Sequence, residues 1–137
     1  MYVRVPKRHY GYEKMDDKMI IEEDISHVEI ASVNFDQWAL TVSLRVYAHD
    51  QTVKGMTYLI FQNVRGFRYL DEGDMLQYPF PKDCTKNYVQ VIDKEGWSEQ
   101  EENFGNIVTS WHREYLVATD NEYLSVLAHK DPTIIKE

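Results

Sequence analysis

The amino-acid sequence predicts a mostly β protein of the α+β class, in which a curled antiparallel sheet of about six strands forms a sandwich or half-barrel with short helical turns. Apolar and polar residues alternate in several segments, and this period of two indicates half-buried strands. Turn-forming residues separate these segments. A length of 137 residues fits one hydrophobic core, so residues 1–137 are predicted to form a single domain.

The first half of the chain contains the clearest alternation. Every second residue from 38 to 48 is apolar, which predicts a strand whose buried face includes Trp38. A shorter alternation at residues 26–31 precedes it, and residues 34–36 (Asn-Phe-Asp) are the predicted turn between the two. The β-branched and aromatic run over residues 56–64 predicts a third, more deeply buried strand.

The second half predicts three more strands. Residues 87–92 form one of them, and residues 111–118 and 122–128 form a hairpin around the Thr-Asp-Asn turn at 119–121. Asp and Asn tolerate a positive φ, which suits them to such a turn. Residues 1–24, in contrast, show no sustained period, so they are predicted to form an N-terminal arm or a late strand.

Two short acidic turns interrupt these strands. Asp71 is a predicted N-cap with Asp74 three residues later, and residues 98–101 match a capping box. The partial positive charge of a helix N-terminus is the ordinary explanation for such carboxylates. It does not explain why both turns flank aromatic residues that are expected to be exposed. The candidate partner-binding residues are therefore Asp71, Glu72, Asp74, Tyr78, Phe80, Trp97, Glu99, Glu101 and Glu102.

The net charge of −8 comes entirely from the second half of the chain. Residues 1–68 contain nine Lys and Arg against nine Asp and Glu, whereas residues 69–137 contain six against fourteen. A negative field repels nucleic acid and anionic lipid, because phosphate binding needs clustered Lys and Arg. The charge predicts a neutral or basic partner and argues against a nucleic acid or a membrane, although a surplus of carboxylates also serves solubility.

No catalytic, metal-binding or cofactor-binding pattern is present in the sequence. The five histidines lack the short spacings of zinc sites. Cys84 is the single cysteine, so no disulfide forms within the chain, and no general base lies near it in sequence. We therefore expect a protein that is not an enzyme and uses no metal or cofactor. The lone cysteine and the absence of a signal peptide predict a cytoplasmic location.

Several segments resemble one class of bacterial proteins. They are residues 61–75 (FQNVRGFRYLDEGDM), Gly96-Trp97, residues 114–117 together with 123–127, and Pro132. In these segments the chain resembles small acidic immunity proteins, the cognate inhibitors encoded beside polymorphic toxins that include contact-dependent growth-inhibition systems. The resemblance covers about the last 75 residues.

The resemblance implies a cytoplasmic protein that binds and neutralises one cognate toxin domain, often a basic nuclease. It implies that the inhibitor covers the active site or the substrate face of the toxin, which requires no chemistry of its own. The physical requirements are an acidic rim that steers a basic partner and a few aromatic anchors that provide affinity. The second half of the chain contains both kinds of residue.

Two other classes of function remain open. A curved antiparallel sheet with many tyrosines often encloses a pocket, so the chain is alternatively a small-ligand-binding or enzymatic β-barrel-like domain. Core packing at strand spacing is the favoured explanation for the aromatic residues that would line such a pocket. A structural or assembly component is the third class. The pocket residues in the second class would be Tyr58, Tyr88, Trp111, His112 and Tyr115.

Overall fold

The computed structural model describes residues 18–21, 24–74, 77–78, 80–92, 96–100 and 112–137. These residues form nine strands and one short helix. In chain order the strands are β1 (Lys18–Ile20), β2 (His27–Asp36), β3 (Ala39–Tyr47), β4 (Val53–Phe61), β5 (Gly66–Leu70), β6 (Tyr88–Ile92), β7 (Arg113–Ala118), β8 (Tyr123–Ala128) and β9 (Thr133–Lys136). The helix α1 (Trp97–Gln100) lies between β6 and β7.

The strands form two antiparallel sheets. One sheet has the order β2-β3-β4-β9 and the other the order β1-β6-β7-β8-β5. The prediction of a mostly β, antiparallel architecture is confirmed. The structure differs from the predicted single sheet of about six strands, because buried side chains of both sheets meet in one core and the sheets stack on each other.

Little helix is present in the described part of the chain. The helix α1 has four residues, and it begins at Trp97 rather than after a cap at Ser98. Residues 101–111, which include the predicted end of that turn, lie outside the described residues. Residues 72–74 make a turn, but residues 75, 76 and 79 also lie outside. Of the α+β prediction, the mostly β character is therefore confirmed, and the two short helical turns are not.

The inner face of the four-stranded sheet follows the alternation of β3. Its buried residues are Leu40, Val42, Leu44 and Val46, and the residues between them are half-buried. Burying one such aliphatic side chain contributes about 1.5–3 kcal/mol, so this face is a large part of the driving force for folding. The period of two in the sequence therefore identified the correct buried face.

Trp38 does not belong to that face, and its prediction as a core residue is wrong. β3 begins at Ala39, and Gln37 and Trp38 form the two-residue turn after β2, in place of the turn predicted at residues 34–36. Both residues have a positive φ (51° and 72°), and Trp38 is 66% exposed. Positive φ at both positions is typical of a type I′ turn, which matches the twist of its strands, and this turn takes Trp38 out of the alternation.

The five-stranded sheet is buried on both faces at its centre. Every residue of β8 is buried, and so are five of the six residues of β7. On the inner face, Tyr115 contacts Phe61 of the other sheet with ring centroids 5.5 Å apart. On the outer face, a second cluster contains Leu70, Ile92, Leu116, Ala118 and Tyr123. A strand covered on both sides loses its polar alternation, as these two strands do.

Two further predictions concern the ends of the chain. The predicted hairpin around residues 119–121 is confirmed, because β7 and β8 pair from Ala118 and Tyr123 onward. The reason given for it is wrong, since neither Asp120 nor Asn121 has a positive φ. Residues 1–17 of the predicted N-terminal arm lie outside the described residues, whereas β1 pairs with β6 at the edge of the five-stranded sheet.

Candidate functional site

The candidate site is a cleft where the first half of β2 meets two loops of the other sheet. Its volume is about 370 Å³, which lies within the range of small-molecule pockets. One loop follows β5, and the other is the turn between β7 and β8. The cleft is lined by His27, Val28, Glu29, Tyr69, Asp71, Glu72, Gly73, Thr119, Asp120, Asn121 and Glu122.

The lining is strongly acidic. Five of its residues carry carboxylates, namely Glu29, Asp71, Glu72, Asp120 and Glu122, and none is Lys or Arg. Three separate segments of the chain contribute these charges, so the fold brings together carboxylates that are distant in sequence. Several carboxylates in one cleft produce a negative electrostatic potential, and the walls of the cleft focus it.

Glu29 is the one carboxylate of the cleft with a basic partner among the described residues. Its Oε1 accepts a hydrogen bond from Arg45 Nη1 at 2.6 Å and another from the Tyr47 hydroxyl at 3.0 Å. These hydrogen bonds, that of Tyr47 first, lower the pKa of Glu29. The ring of Tyr47 also stacks on His27 with a centroid distance of 4.5 Å. Glu29 is therefore held ionised and in place.

Glu122 joins the two sheets at the base of the cleft. Its Oε1 accepts a hydrogen bond from the backbone N–H of Ile30 in β2 at 3.0 Å, and its Oε2 accepts one from the Tyr69 hydroxyl of β5 at 2.7 Å. Partial burial, followed by the Glu122 carboxylate, raises the pKa of Tyr69 to about 12. Tyr69 therefore remains a neutral hydrogen-bond donor at physiological pH.

Asp71 and Asp74 form a reciprocal turn at the rim. The Asp71 carboxylate accepts hydrogen bonds from the N–H groups of Gly73 (3.0 Å) and Asp74 (3.3 Å), and the Asp74 carboxylate accepts one from the Asp71 N–H (3.0 Å). This is the capping geometry that the sequence predicted for Asp71. Asp71, Glu72 and Asp74 are all exposed, so their charges also face the solvent.

The predicted aromatic anchors lie elsewhere. Tyr78 and Phe80 are half-buried and cover the cluster on the outer face of the five-stranded sheet, where Phe80 contacts Tyr123 at a centroid distance of 5.0 Å. Arg68 places its guanidinium 4.8 Å from the Tyr78 ring. Neither aromatic residue lines the acidic cleft, and their contacts are those of packing residues.

Trp97 is also half-buried on that outer face. Its ring lies 3.3 Å from the position that a Cβ of Gly66 would occupy, which is close contact. Its backbone N–H and that of Ser98 donate to the buried carboxylate of Glu114, at 2.8 and 2.9 Å. A Cβ at Gly96 would lie 2.5 Å from the same carboxylate, so a larger residue there would displace this carboxylate from its hydrogen bonds. Glu114 therefore fixes the first turn of α1 to β7.

Most of the second predicted acidic turn lies outside the described residues. Glu101 and Glu102 lie outside the described residues, and so does the side chain of Glu99. The cleft also contains Glu29, Asp120 and Glu122, which no pattern in the sequence indicates as partner-binding residues. Asp120 and Glu122 flank the hairpin turn that the sequence identified, but their proximity to Asp71 depends on how the two sheets stack.

An aromatic patch extends the same side of the molecule. We use this name for Phe35, Trp38 and Phe67, which are 44%, 66% and 38% exposed. The Phe35 ring lies 6.3 Å from Trp38 in an edge-on arrangement and 5.8 Å from Phe67. Phe67 is two residues from Tyr69 on the same face of β5, so the patch continues toward the cleft.

Tyr58 and Tyr115, two described residues of the alternative pocket, lie in different surroundings. Tyr115 is fully buried, and its hydroxyl donates to Asp131 at 2.7 Å. Tyr58 contacts Glu137 at the surface, and Trp111 lies outside the described residues. In the part of the chain that the structure describes, no group of three or more His, Cys, Asp or Glu side chains is arranged to hold a metal ion. The described helix is too short to cross a membrane.

No family model, no curated protein and no solved structure matches this chain significantly.

Proposed function

We propose that this protein is an immunity protein that binds and neutralises a cognate bacterial toxin, in particular a basic nuclease. The observation that supports the proposal is the acidic cleft, in which five carboxylates from three chain segments surround about 370 Å³ without a lining Lys or Arg. The resemblance of residues 61–75 to immunity proteins adds to it, because two residues of that segment, Asp71 and Glu72, belong to the cleft.

The cleft fits the basic surface of such a toxin. A nuclease carries Lys and Arg where it binds phosphate, and carboxylates compete for those side chains. Arg pairs with carboxylates through two parallel hydrogen bonds, which gives geometric specificity as well as attraction. An inhibitor that occupies the phosphate site needs no catalytic residue, and the negative field of the cleft raises the rate of encounter.

The first prediction concerns two exposed carboxylates of the cleft, Glu72 and Asp120. The Asp120 carboxylate accepts a long hydrogen bond of 3.4 Å from the Asn87 amide, and asparagine at position 120 retains an acceptor for it. The variant Glu72→Gln/Asp120→Asn should reduce the association rate with the toxin domain encoded beside the gene, and the loss should shrink as salt concentration rises. Stopped-flow association across ionic strength measures this. The variant Asp83→Asn/Glu137→Gln makes the same change of charge at exposed positions outside the cleft and is the control.

Two results would overturn the proposal. One is the absence of an equimolar complex with that toxin domain. The other is an association rate that responds equally to both double variants, since it would mean that only total charge matters. The volume of the cleft also suits a small cationic ligand. Release of such a molecule from the purified protein, with no effect of the protein on the toxin, would favour the ligand-binding alternative.

A further inference from the structure

The aromatic patch contains an unfavourable backbone conformation at an exposed residue. Trp38 has a φ of 72° in the two-residue turn, where Gly and Asn are strongly preferred. A bulky residue in this region is strained, and such strain persists mainly at functional sites. Burial of the side chain does not offset this strain, since Trp38 is 66% exposed.

The adjoining strand β2 has an outer edge that changes in character along its length. Among the strands that the structure describes, β2 lies at the end of its sheet and pairs only with β3. In its first half, the outward N–H groups of Val28 and Ile30 donate to side chains of the other sheet, Asn87 Oδ1 and Glu122 Oε1, at 3.1 and 3.0 Å. These side chains block the edge there, as native proteins commonly do.

The second half of β2 follows a register shift between Ile30 and Ser32. The two-residue turn makes Asp36 and Ala39 the hydrogen-bonded pair that closes the hairpin. Because such pairs alternate along an antiparallel ladder, the N–H and C=O groups of Val33 and Phe35 point away from β3. The side chains of residues 34–36 are exposed around this stretch.

We propose that an extended segment of the basic toxin adds to the outer edge of β2 at residues 31–36 and places an apolar side chain on the aromatic patch. This proposal rests on the proposed function and deepens it by naming the form of the partner. Backbone hydrogen bonds to an exposed strand edge provide affinity in such complexes, and side-chain contacts provide specificity. Clustered aromatic residues are the usual anchors of an interface.

The acidic residues near this edge favour a basic segment of another protein over a second copy of this chain. The edge runs from the acidic cleft, through Glu29 and Glu122, to Asp36 at the turn. Two copies paired along this edge would bring together two of these acidic surfaces, each in a chain of net charge −8. A strand with Lys or Arg at one end meets the cleft, while its apolar residues reach the patch.

The decisive variant is Trp38→Gly, because stability and binding should respond in opposite directions. Glycine relieves the positive φ, so the melting temperature should stay constant or rise. Loss of the anchor should weaken toxin binding by about 30-fold or more, as expected for a central aromatic residue of an interface. Ile135→Ala removes another exposed apolar side chain, outside the aromatic patch, and should leave affinity within about 2-fold.

Amide hydrogen exchange tests the strand itself. The amides of Val33 and Phe35 should exchange quickly in the free protein and become protected in the complex, whereas those of Ser32 and Asn34 are already protected by β3. Val33→Pro removes one outward N–H at a strand edge, where proline is tolerated, and should weaken binding. If Val33→Pro fails to fold, the exchange experiment on the unaltered protein still decides the question.

The outcomes separate this inference from the proposed function. If the toxin binds and Glu72→Gln/Asp120→Asn slows association, but the amides and Trp38→Gly show no effect, the strand-addition inference is wrong and the function stands. Protection that appears in the free protein together with dimers in sedimentation would assign the edge to a second copy. Absence of any complex with the toxin would overturn both proposals.

Discussion

At the scale of single residues, the three tryptophans show how little a residue type decides by itself. Trp38 has the sequence context of a core residue and is exposed, because it belongs to a tight turn. Trp97 has the context of a loop anchor beside Gly96, yet its ring lies against the Cα of Gly66. Trp111 lies outside the described residues. The position of each side chain depends on backbone geometry one or two residues away.

Trp97 and Trp38 should contribute differently to folding stability. Trp97→Ala should lower the free energy of unfolding by about 2 kcal/mol, less than the 3–5 kcal/mol of a fully buried tryptophan, because its ring is half-buried. Trp38→Ala should change it by no more than about 0.5 kcal/mol, as for other surface positions. Urea unfolding of both variants measures the difference. A Trp97→Ala protein as stable as Trp38→Ala would mean that Trp97 is a free anchor after all.

At the scale of elements, single carboxylates join strands and turns that are far apart in sequence. Glu122 connects the turn after β7 to both β2 and β5 through the Ile30 N–H and the Tyr69 hydroxyl. Glu114 connects β7 to α1 through the N–H groups of Trp97 and Ser98. A four-residue helix has little stability of its own, so it depends on this contact.

Loss of the Glu114 carboxylate should destabilise the protein. Glu114→Ala leaves two N–H groups of α1 without their acceptor, at a cost of about 2–3 kcal/mol in the free energy of unfolding. Glu114→Gln retains one carbonyl acceptor and should cost less. Chemical denaturation gives both values, and hydrogen exchange at residues 97–98 locates the effect. Equal stability of the alanine variant and the unaltered protein would contradict the role assigned to Glu114.

At the scale of the whole molecule, the stacking of two sheets divides the surface into different regions. The outer face of the five-stranded sheet is covered by Tyr78, Phe80 and Trp97. The side where β2 meets β5 carries the acidic cleft and the aromatic patch. The predicted partner-binding residues that the structure describes therefore lie in two regions, with Asp71 and Glu72 in the acidic cleft and the three aromatic residues on the outer face.

The prediction at this scale concerns alkaline pH. Burial, with the Glu122 carboxylate as the second cause, raises the pKa of Tyr69 to about 12, and burial raises that of Tyr123 to about 12. The ordinary value is 10, so an unfolded chain loses these two protons at lower pH than the folded one. The stabilisation is complete below pH 10 and is lost as pH rises toward 12.

Urea unfolding over this range, together with the ultraviolet absorbance of phenolate, measures the effect. The expected result is a decline in the free energy of unfolding, with two tyrosines that ionise late. The variant Tyr69→Phe/Tyr123→Phe removes both protons and should show a weaker dependence on pH than the unaltered protein. A double variant with the same alkaline decline would assign the decline to other groups.

Features that depend on neighbours in the chain can be predicted from the sequence. The period of two identified the buried face of β3, and the Thr-Asp-Asn turn identified the β7–β8 hairpin, because side-chain alternation and turn conformation are local properties. The capping pair of Asp71 and Asp74 was readable for the same reason. The position of Trp38 could not be predicted in this way, because a shift of the turn by a few residues leaves the alternation of the strand unchanged.

How these elements meet depends on contacts in the folded protein. The partition into two sheets follows from which strands pair, and this depends on contacts between segments separated by many residues. Glu29 and Glu122 are 93 positions apart in number, yet both line one cleft because β2 stacks against the end of the other sheet. No local sequence pattern indicates that these two residues are close in space. The acidic cleft and the aromatic patch therefore exist only as consequences of sheet stacking, which buries the apolar faces.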